Sequence, residues 1–483
     1  MSFDTLGLVD QILSAVKKCG YTEPTEVQQK TIPPILEGKD ILGGAQTGTG
    51  KTASFVLPLL QHVSEKKQRG EKPTVQALIL VPTRELAAQV LASINTYGKH
   101  LDLKTTAVFG GVHIRSQIIK LRRGVDILVA TPGRLLDHVN QKTVNLSTID
   151  HVVFDEADCM LDMGFIHDIR RIASVLPEER QTLFFSATFP DTVRSLANEF
   201  LTDPEVVQVT QKNSISDQID QVLYPVDKIR KQELLLELLR ENDWRQVLVF
   251  TRTKHTANKL AETLNKEGIR STAIHGNKTQ AARTKSLAAF KRGAARVLVA
   301  TDIAARGINI SQLPCVINYE FPLVATDYVH RIGRTARAGN EGEAISLLCV
   351  DEKGLLNDVE RLLKKPLPQV VIPGFEVDPS IRPEAIRGAR RYSSPKSGRP
   401  QKARPSKQQG RLKQRRSASK PKSENKNGPF TSVPEKKKTK LAAKKSPKTA
   451  FTWKKTIKKG KKAKRSPLAL VTKRKKSFSR KRK

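Results

Sequence analysis

The chain has little of what would staple it or carry it through a bilayer. Cys19, Cys159, Cys315 and Cys349 are the only cysteines in 483 residues, and no two are spaced as Cys-x-x-Cys. That excludes a disulfide framework and a zinc-ribbon pattern, and it fits a reducing, cytoplasmic setting. No apolar run approaches about 18 residues, so no membrane span is expected. Met1 to Asp10 has no basic stretch followed by an apolar run, so no signal peptide is expected. Acidic residues are nearly absent from one end. Ile381 to Lys483 holds 39 basic and 3 acidic residues, against 47 and 44 in the 380 residues before it. A near-neutral body with a polycationic tail implies a polyanionic partner, most simply nucleic acid. The tail's low apolar content predicts disorder, because it cannot bury enough surface to offset chain entropy.

In the body, short apolar runs alternate with segments of helical periodicity. Ala77–Val81, Val125–Ala130, Val152–Phe154 and Thr182–Phe185 read as buried strands of a parallel sheet, and Arg84–Tyr97 as a helix between two of them. The pattern recurs at Val247–Phe250, Val297–Ala300, Val316–Tyr319 and Ala344–Val350. Two tandem α/β domains are expected, with boundaries at 1–210 and 222–367. A polar linker is expected at 211–221, and an extension and tail at 368–483.

Two tracts carry phosphate chemistry. Ala45-Gln46-Thr47-Gly48-Thr49-Gly50-Lys51-Thr52 follows an apolar pair and precedes a helical stretch, the context of a P-loop. Gly48 and Gly50 let backbone N–H groups curl around phosphate, Lys51 neutralises β/γ charge, and the Thr52 hydroxyl suits Mg²⁺. Ala45 stands where strict P-loops have glycine. Asp155-Glu156-Ala157-Asp158 closes a buried strand, where carboxylates need a cation. Asp155 is placed to hold the metal and Glu156 to deprotonate water.

These two tracts together resemble the DEAD-box RNA helicase family, and the resemblance spans about positions 3 to 367. It implies RecA-like P-loop domains, ATP and Mg²⁺ as cofactors, and RNA-stimulated ATP hydrolysis that opens short RNA duplexes. Gly20–Gln28 with Phe3 upstream is similar to the family's adenine-reading motif, with Gln28 reading the base edge and Tyr21 as a stacking face. Pro82-Thr83-Arg84, Gly110-Gly111 and Thr131-Pro132-Gly133-Arg134 look like its RNA-contacting segments. In the second domain Arg252, Gly276, Arg283 and Thr301 match the RNA-gripping motifs. Ser186 and Thr188, with Asp158, match the motif that couples hydrolysis to strand separation. His330-Arg-Ile-Gly-Arg-Thr-Ala-Arg337 is similar to the arginine-finger tract: Arg334 and Arg337 would reach the γ-phosphate, and His330 would couple to the acidic motif. Gly307 and Asn309 would line the nucleotide cleft. The family has Asp where this chain has Asn309; loss of that charge predicts weaker closure on ATP without loss of activity.

Asp162–Arg171 and Phe250–His255 look most like the bacterial RhlE-type subgroup, which implies ribosome assembly or RNA turnover, with ribosomal precursors or the decay machinery as partners. A monomer is expected. Two other readings are an inactive RNA clamp or annealing chaperone driven by the tail, and a DNA-acting superfamily 2 helicase. The complete set of charged motif residues counts against the first, the acidic and adenine motifs against the second.

Overall fold

The computed structural model describes residues 2–45, 49–67, 72–208, 219–306, 308, 310, 313–335 and 342–386. The expected disordered tail beyond 386 lies outside the described residues. Within them two parallel sheets form. The first runs through Ile41–Gly44 (β1), Ala77–Leu80 (β2), Thr105–Val108 (β3), Ile127–Ala130 (β4), His151–Phe154 (β5), Gln181–Ser186 (β6) and Glu205–Gln208 (β7), in spatial order β3-β4-β2-β5-β6-β1-β7. The second comprises Ile219–Pro225 (β8), Val247–Thr251 (β9), Ser271–Ile274 (β10), Val297–Thr301 (β11), Cys315–Asn318 (β12) and Gly342–Leu348 (β13), ordered β10-β11-β9-β12-β13-β8. Helices cover both faces. On the first sheet Ile79, Val129, Val153 and Leu183 pack with helix residues Phe55, Leu59 and Val90 on one side. Leu78, Leu128, Val152 and Phe184 pack with Leu135, Ile169 and Leu196 on the other. Two-sided burial is why the central strands are continuously apolar.

Two boundaries differ from the sequence expectation. β8 begins at Ile219 and pairs in register with β13 from Gly342, so 219–221 belong to the second sheet and not to the linker. The second domain also continues past 367: Gln369 bridges to Leu223, and Ile372 and Phe375 are buried in its core. All four thiols are free, and three are buried. Among the described residues no helix is long and apolar enough to cross a membrane.

At the end of the first sheet remote from the phosphate loop, His151 at the start of β5 stacks on His62, with ring centroids 4.9 Å apart. Gln181 Oε1 lies 2.9 Å from His151 Nδ1. Burial, with the neighbouring His62, pushes His151 down to about 4. The unfolded imidazole, near pKa 6.5, takes its proton first. The stabilisation is therefore complete above pH about 6.5 and is lost as pH falls toward 4. We expect calorimetry of the first-domain transition to lose up to about 3 kcal/mol from this group between pH 7 and pH 4. His151→Gln should flatten that dependence, and a variant with the wild-type slope would remove His151 as its source.

Candidate functional site: a nucleotide cleft and a cationic groove

The carboxyl ends of the strands deliver every charged motif to one side of the two sheets. Between β1 and the helix Lys51–Lys66, Gly50 sits at φ +92, and a Cβ there would come within 2.6 Å of Gln28 Nε2. Only glycine makes this turn. Lys51 opens the helix, is 5% exposed, and its Nζ has no hydrogen-bond partner among the described residues. Across the turn from β5, Asp155 and Glu156 are buried. Burial raises the Asp155 carboxyl above its usual range despite Lys51. Burial and the Asp155 charge push Glu156 up to about 7. Glu156 also adopts φ 54, ψ 51, a left-handed conformation that costs a non-glycine residue about 1–3 kcal/mol and tends to persist where function requires it.

An unpartnered buried ammonium beside two crowded carboxylates is an incomplete electrostatic set. A polyphosphate would complete the first and a divalent cation the second, so the residues fit ATP with Mg²⁺. Among the described residues no cluster of three or more His, Cys, Asp or Glu could hold a metal alone.

The second domain supplies the opposite wall. Arg334 is 8% exposed, and its Nη1 donates to Ile308 O at 2.9 Å. It lies near enough to Glu156 for each charge to move the other's pKa. Arg331, three residues earlier, is the anchor of this segment. Its guanidinium forks onto Asp302 at 2.5 and 2.8 Å, donates to Asn318 Oδ1 and Glu320 O, and lies 4.9 Å from the Phe250 ring centroid. His330 is mostly buried, which lowers its pKa, and the Asp158 charge acts against that shift. Arg306 joins the domains through Asp162 at 3.3 Å while also pairing with Asp327. Gln46, Thr47, Gly48, Gly307, Asn309 and Arg337 lie outside the described residues. Thr49 precedes the Gly50 turn, and Thr52 sits half-buried in the first helical turn.

Asp158 Oδ2 accepts from Ala187 N at 3.2 Å, Thr188 N at 2.9 Å and Thr188 Oγ1 at 3.0 Å. Ser186 Oγ donates to Thr188 O at 2.7 Å, and Ala45 N donates to Ser186 O. The acidic turn, the Ser186–Thr188 turn and the start of the P-loop thus form one bonded unit. Gln28 joins it: Oε1 accepts from Thr25 N and Nε2 donates to Gly50 O at 3.2 Å, leaving one N–H and one lone pair for a base.

A second cluster borders the first. Arg84 lies over Gly110 and Gly111, and a Cβ on Gly111 (φ +77) would fall 1.8 Å from its Nη1. Burial and the adjacent Arg283 and Arg134 guanidiniums lower the Arg84 pKa, against the charge of Glu85. Arg134 Nη1 donates to Val112 O at 3.1 Å, and its Nε to Asp137 Oδ2. Thr131 and Pro132 are buried at the start of the helix Pro132–Asn140. Exposed Gly133 and Gly276 have no steric need for glycine from the protein side, which leaves room for a ligand. Thr301 is half-buried at the end of β11.

Five expected contacts are corrected. Phe3 is 4% exposed in the first-domain core, packed with Leu6, Leu8 and Ile12, so it serves packing and not the base. Tyr21 is not among these: it is 47% exposed, with its ring tilted against Tyr97 at 6.4 Å. Thr83 caps the helix Arg84–Tyr97, accepting from Leu86 N, and the adjacent Pro82 is buried, so neither side chain is free for RNA. Arg252 is held by two carboxylates: Nη2 donates to Glu352 Oε1 at 3.0 Å and its backbone N–H to Glu320 Oε2 at 2.7 Å, while Nη1 has no hydrogen-bond partner among the described residues. Arg283 pairs across the domains with Glu85 at 2.8 Å while Gln280 donates to the other Glu85 oxygen, leaving Arg283 Nε unpartnered. The sequence gives no sign of the roles of Glu85, Arg306, Arg331 and Glu352. Glu85 sits inside the Pro82–Ala87 tract, but nothing in the spacing reveals its counter-charge almost 200 residues away.

Residues 25–196 match the family model of the DEAD/DEAH box helicases, and residues 230–339 that of the helicase conserved C-terminal domain. The chain is 43% identical over 395 residues to a DEAD-box ATP-dependent RNA helicase CshA of Bacillus cereus, covering 82% of this chain and 73% of that protein. It is 41% identical to the CshA helicase of Geobacillus kaustophilus, covering 81% of each. Among solved structures, S. cerevisiae Dbp5 bound to RNA and ADP BeF3 is similar at 30% identity and TM-score 0.69, covering 77% of this chain and 95% of that one. Mss116 bound to ssRNA and UDP-BeF is similar at 29% identity and TM-score 0.69, covering 77% and 80%. With the acid and phosphate motifs of one sheet facing the arginine of the other, and with this identity over most of its length, the chain belongs to the DEAD-box family of ATP-dependent RNA helicases.

Proposed function

We propose that the helicase works by Mg²⁺-dependent closure of two domains over ATP and a single RNA strand, without reading sequence. The observation that supports this is the cross-domain set of Lys51, Asp155, Glu156 and Arg334, buried together. Asp155 and Thr52 would hold Mg²⁺, which would supply charge neutralisation for the phosphates when bound. Lys51 neutralises phosphate, Glu156 takes the proton from the attacking water, and Arg334 meets charge that develops on the transferred group. The Asp158–Thr188 unit passes the state of this cleft to the groove at Arg84 and Arg134. If RNA tightens ATP, ATP tightens RNA by the same factor. Groove chemistry of guanidiniums and small backbone turns grips phosphate and sugar, with no base-edge reader among the described residues.

The tail raises the local RNA concentration, and the expected setting is a cytoplasmic monomer acting in ribosome assembly or RNA turnover. The RhlE-type subgroup rests on Asp162–Arg171 and Phe250–His255 alone, while the relatives compared above bear the CshA name. The test is direct. Phosphate release on single-stranded RNA should vanish with a chelator and return with Mg²⁺, and Asp155→Asn should raise the Mg²⁺ required. Removal of residues 381–483 should flatten the dependence of RNA affinity on salt while sparing turnover at saturating RNA. Hydrolysis indifferent to the chelator, or stimulation by DNA equal to that by RNA, would overturn the reading.

A further inference from the structure

We infer that the exposed face of the helix Ile114–Arg122 is an outer track for single-stranded RNA leaving the groove, built from Arg115, Lys120, Arg122 and Arg123 around Ile119. This rests on the RNA-groove reading above and extends it. The segment 113–123 contains four basic residues and no carboxylate, within a body whose basic and acidic counts nearly balance. Gln117 and Leu121 are buried on the inner side, while Arg115, Ser116, Ile119, Lys120, Arg122 and Arg123 are exposed on the outer side. Among the described residues none of the four cations is in an ion pair. Clustered like charges without a counter-charge repel one another, and a polyanion laid along them would remove that repulsion. Ile119, 55% exposed, places an apolar surface among the cations. A single strand, which offers bases and sugars as well as phosphate, suits that surface better than a duplex does.

The track is continuous with the groove and rigidly attached to it. The helix starts directly after Gly110-Gly111, over which Arg84 lies, and Arg134 donates to Val112 O. Gln117 Nε2 donates to Phe109 O at 2.9 Å, while its Oε1 meets His138 Nε2 at 3.1 Å, on the Pro132–Asn140 helix. His138 is fully buried. The helix is therefore tied to the groove, and its nine residues run for about 13 Å.

Three phosphate contacts would contribute about 2 to the salt slope, or roughly 50-fold in affinity near 0.15 M salt. The probes are labelled oligouridylates of about six nucleotides, to occupy the groove, and about 20, to reach past it, with the full chain carrying Arg115→Gln, Lys120→Gln, Arg122→Gln and Arg123→Gln. We expect roughly 10- to 50-fold weaker binding of the 20-mer, a slope lower by about 2, and unchanged binding and ATPase stimulation with the six-mer. The milder pair Arg122→Gln/Arg123→Gln, at the far end of the helix, should show about half the slope change and guards against misfolding of the fourfold variant. An unchanged 20-mer affinity, an equal loss at both lengths, or a loss confined to blunt duplex overturns the track. Failure of the wild-type chain to be stimulated by any single strand would overturn the RNA-groove reading instead.

Discussion

Arg334→Ala lowers RNA-stimulated kcat by roughly 10³- to 10⁵-fold, the range that an arginine finger contributes to phosphoryl transfer. Arg334 is held as a finger must be held. It is buried, its Nη1 is fixed on Ile308 O, and its charge is felt by Glu156 across the domain boundary. Burial lowers its pKa and the Glu156 charge opposes that; a guanidinium stays protonated under such conditions where an ammonium does not. Arg334→Lys should therefore rescue little, because a lysine has neither the fork nor the delocalised charge. The substitution leaves Arg331 with its Asp302, Asn318 and Glu320 bonds, so the second domain should keep its melting temperature. Single-turnover hydrolysis at saturating ATP and RNA, beside a direct ATP titration, separates the outcomes. The drop should sit in turnover, with ATP affinity changed far less, since the guanidinium meets charge that grows in the transition state. A fall of less than about tenfold would mean that charge stabilisation lies elsewhere.

The strands legible in the sequence are the ones buried on both faces. β2 and β4 are runs of Ala, Val, Leu and Ile, β5 and β6 centre on Val152–Phe154 and Leu183–Phe185, and the sequence places each within one to two residues. The strands with no sequence expectation include β3, β7, β8 and β10, which are the four sheet edges. Thr105-Thr-Ala-Val108 and Glu205-Val-Val-Gln208 have mixed polarity because an edge is covered on one side only. β8 was divided by the same effect: Ile219-Asp-Gln221 looks like linker until Gly342–Ala344 pairs with it.

The site divides along a similar line. Lys51, Asp155, Glu156, Asp158, Thr188 and Arg334 converge as their motifs imply, because each sits within a residue or two of a strand end or helix start that fixes it locally. Arg252 and Arg283 do not behave as free RNA ligands, because their counter-charges are remote in sequence. Glu352, 0% exposed, accepts from Arg252 and from Lys231 Nζ at 2.5 Å, and it holds Cys349 N and Phe321 N. Nothing near Arg252 in the chain announces that partner. A motif gives residue type and spacing, while the net charge left for a ligand depends on which carboxylates the fold brings alongside.

Glu156→Gln should separate binding from chemistry most cleanly. The amide keeps the shape of the side chain and the left-handed backbone turn, so Asp155 and the Asp158–Thr188 unit stay in place. What it loses is the proton acceptor, a loss worth roughly 10²- to 10⁴-fold in turnover. It also removes one of two buried acids that crowd each other. Glu156 is pushed up to about 7 by burial and by Asp155, so near neutral pH it is ionised only part of the time, and the charge it does carry opposes the approach of further negative charge. ATP should therefore bind at least as tightly to the variant as to the wild type. By reciprocity, RNA that tightens with ATP stays tight for as long as ATP persists, so RNA release in the presence of ATP should slow in step with hydrolysis. Fluorescence chase of a labelled single strand measures that release beside phosphate production. Slow hydrolysis with wild-type RNA release would show that the strand is freed before the phosphate bond breaks, and the coupling through Asp158 and Thr188 would then carry the ATP-bound signal alone.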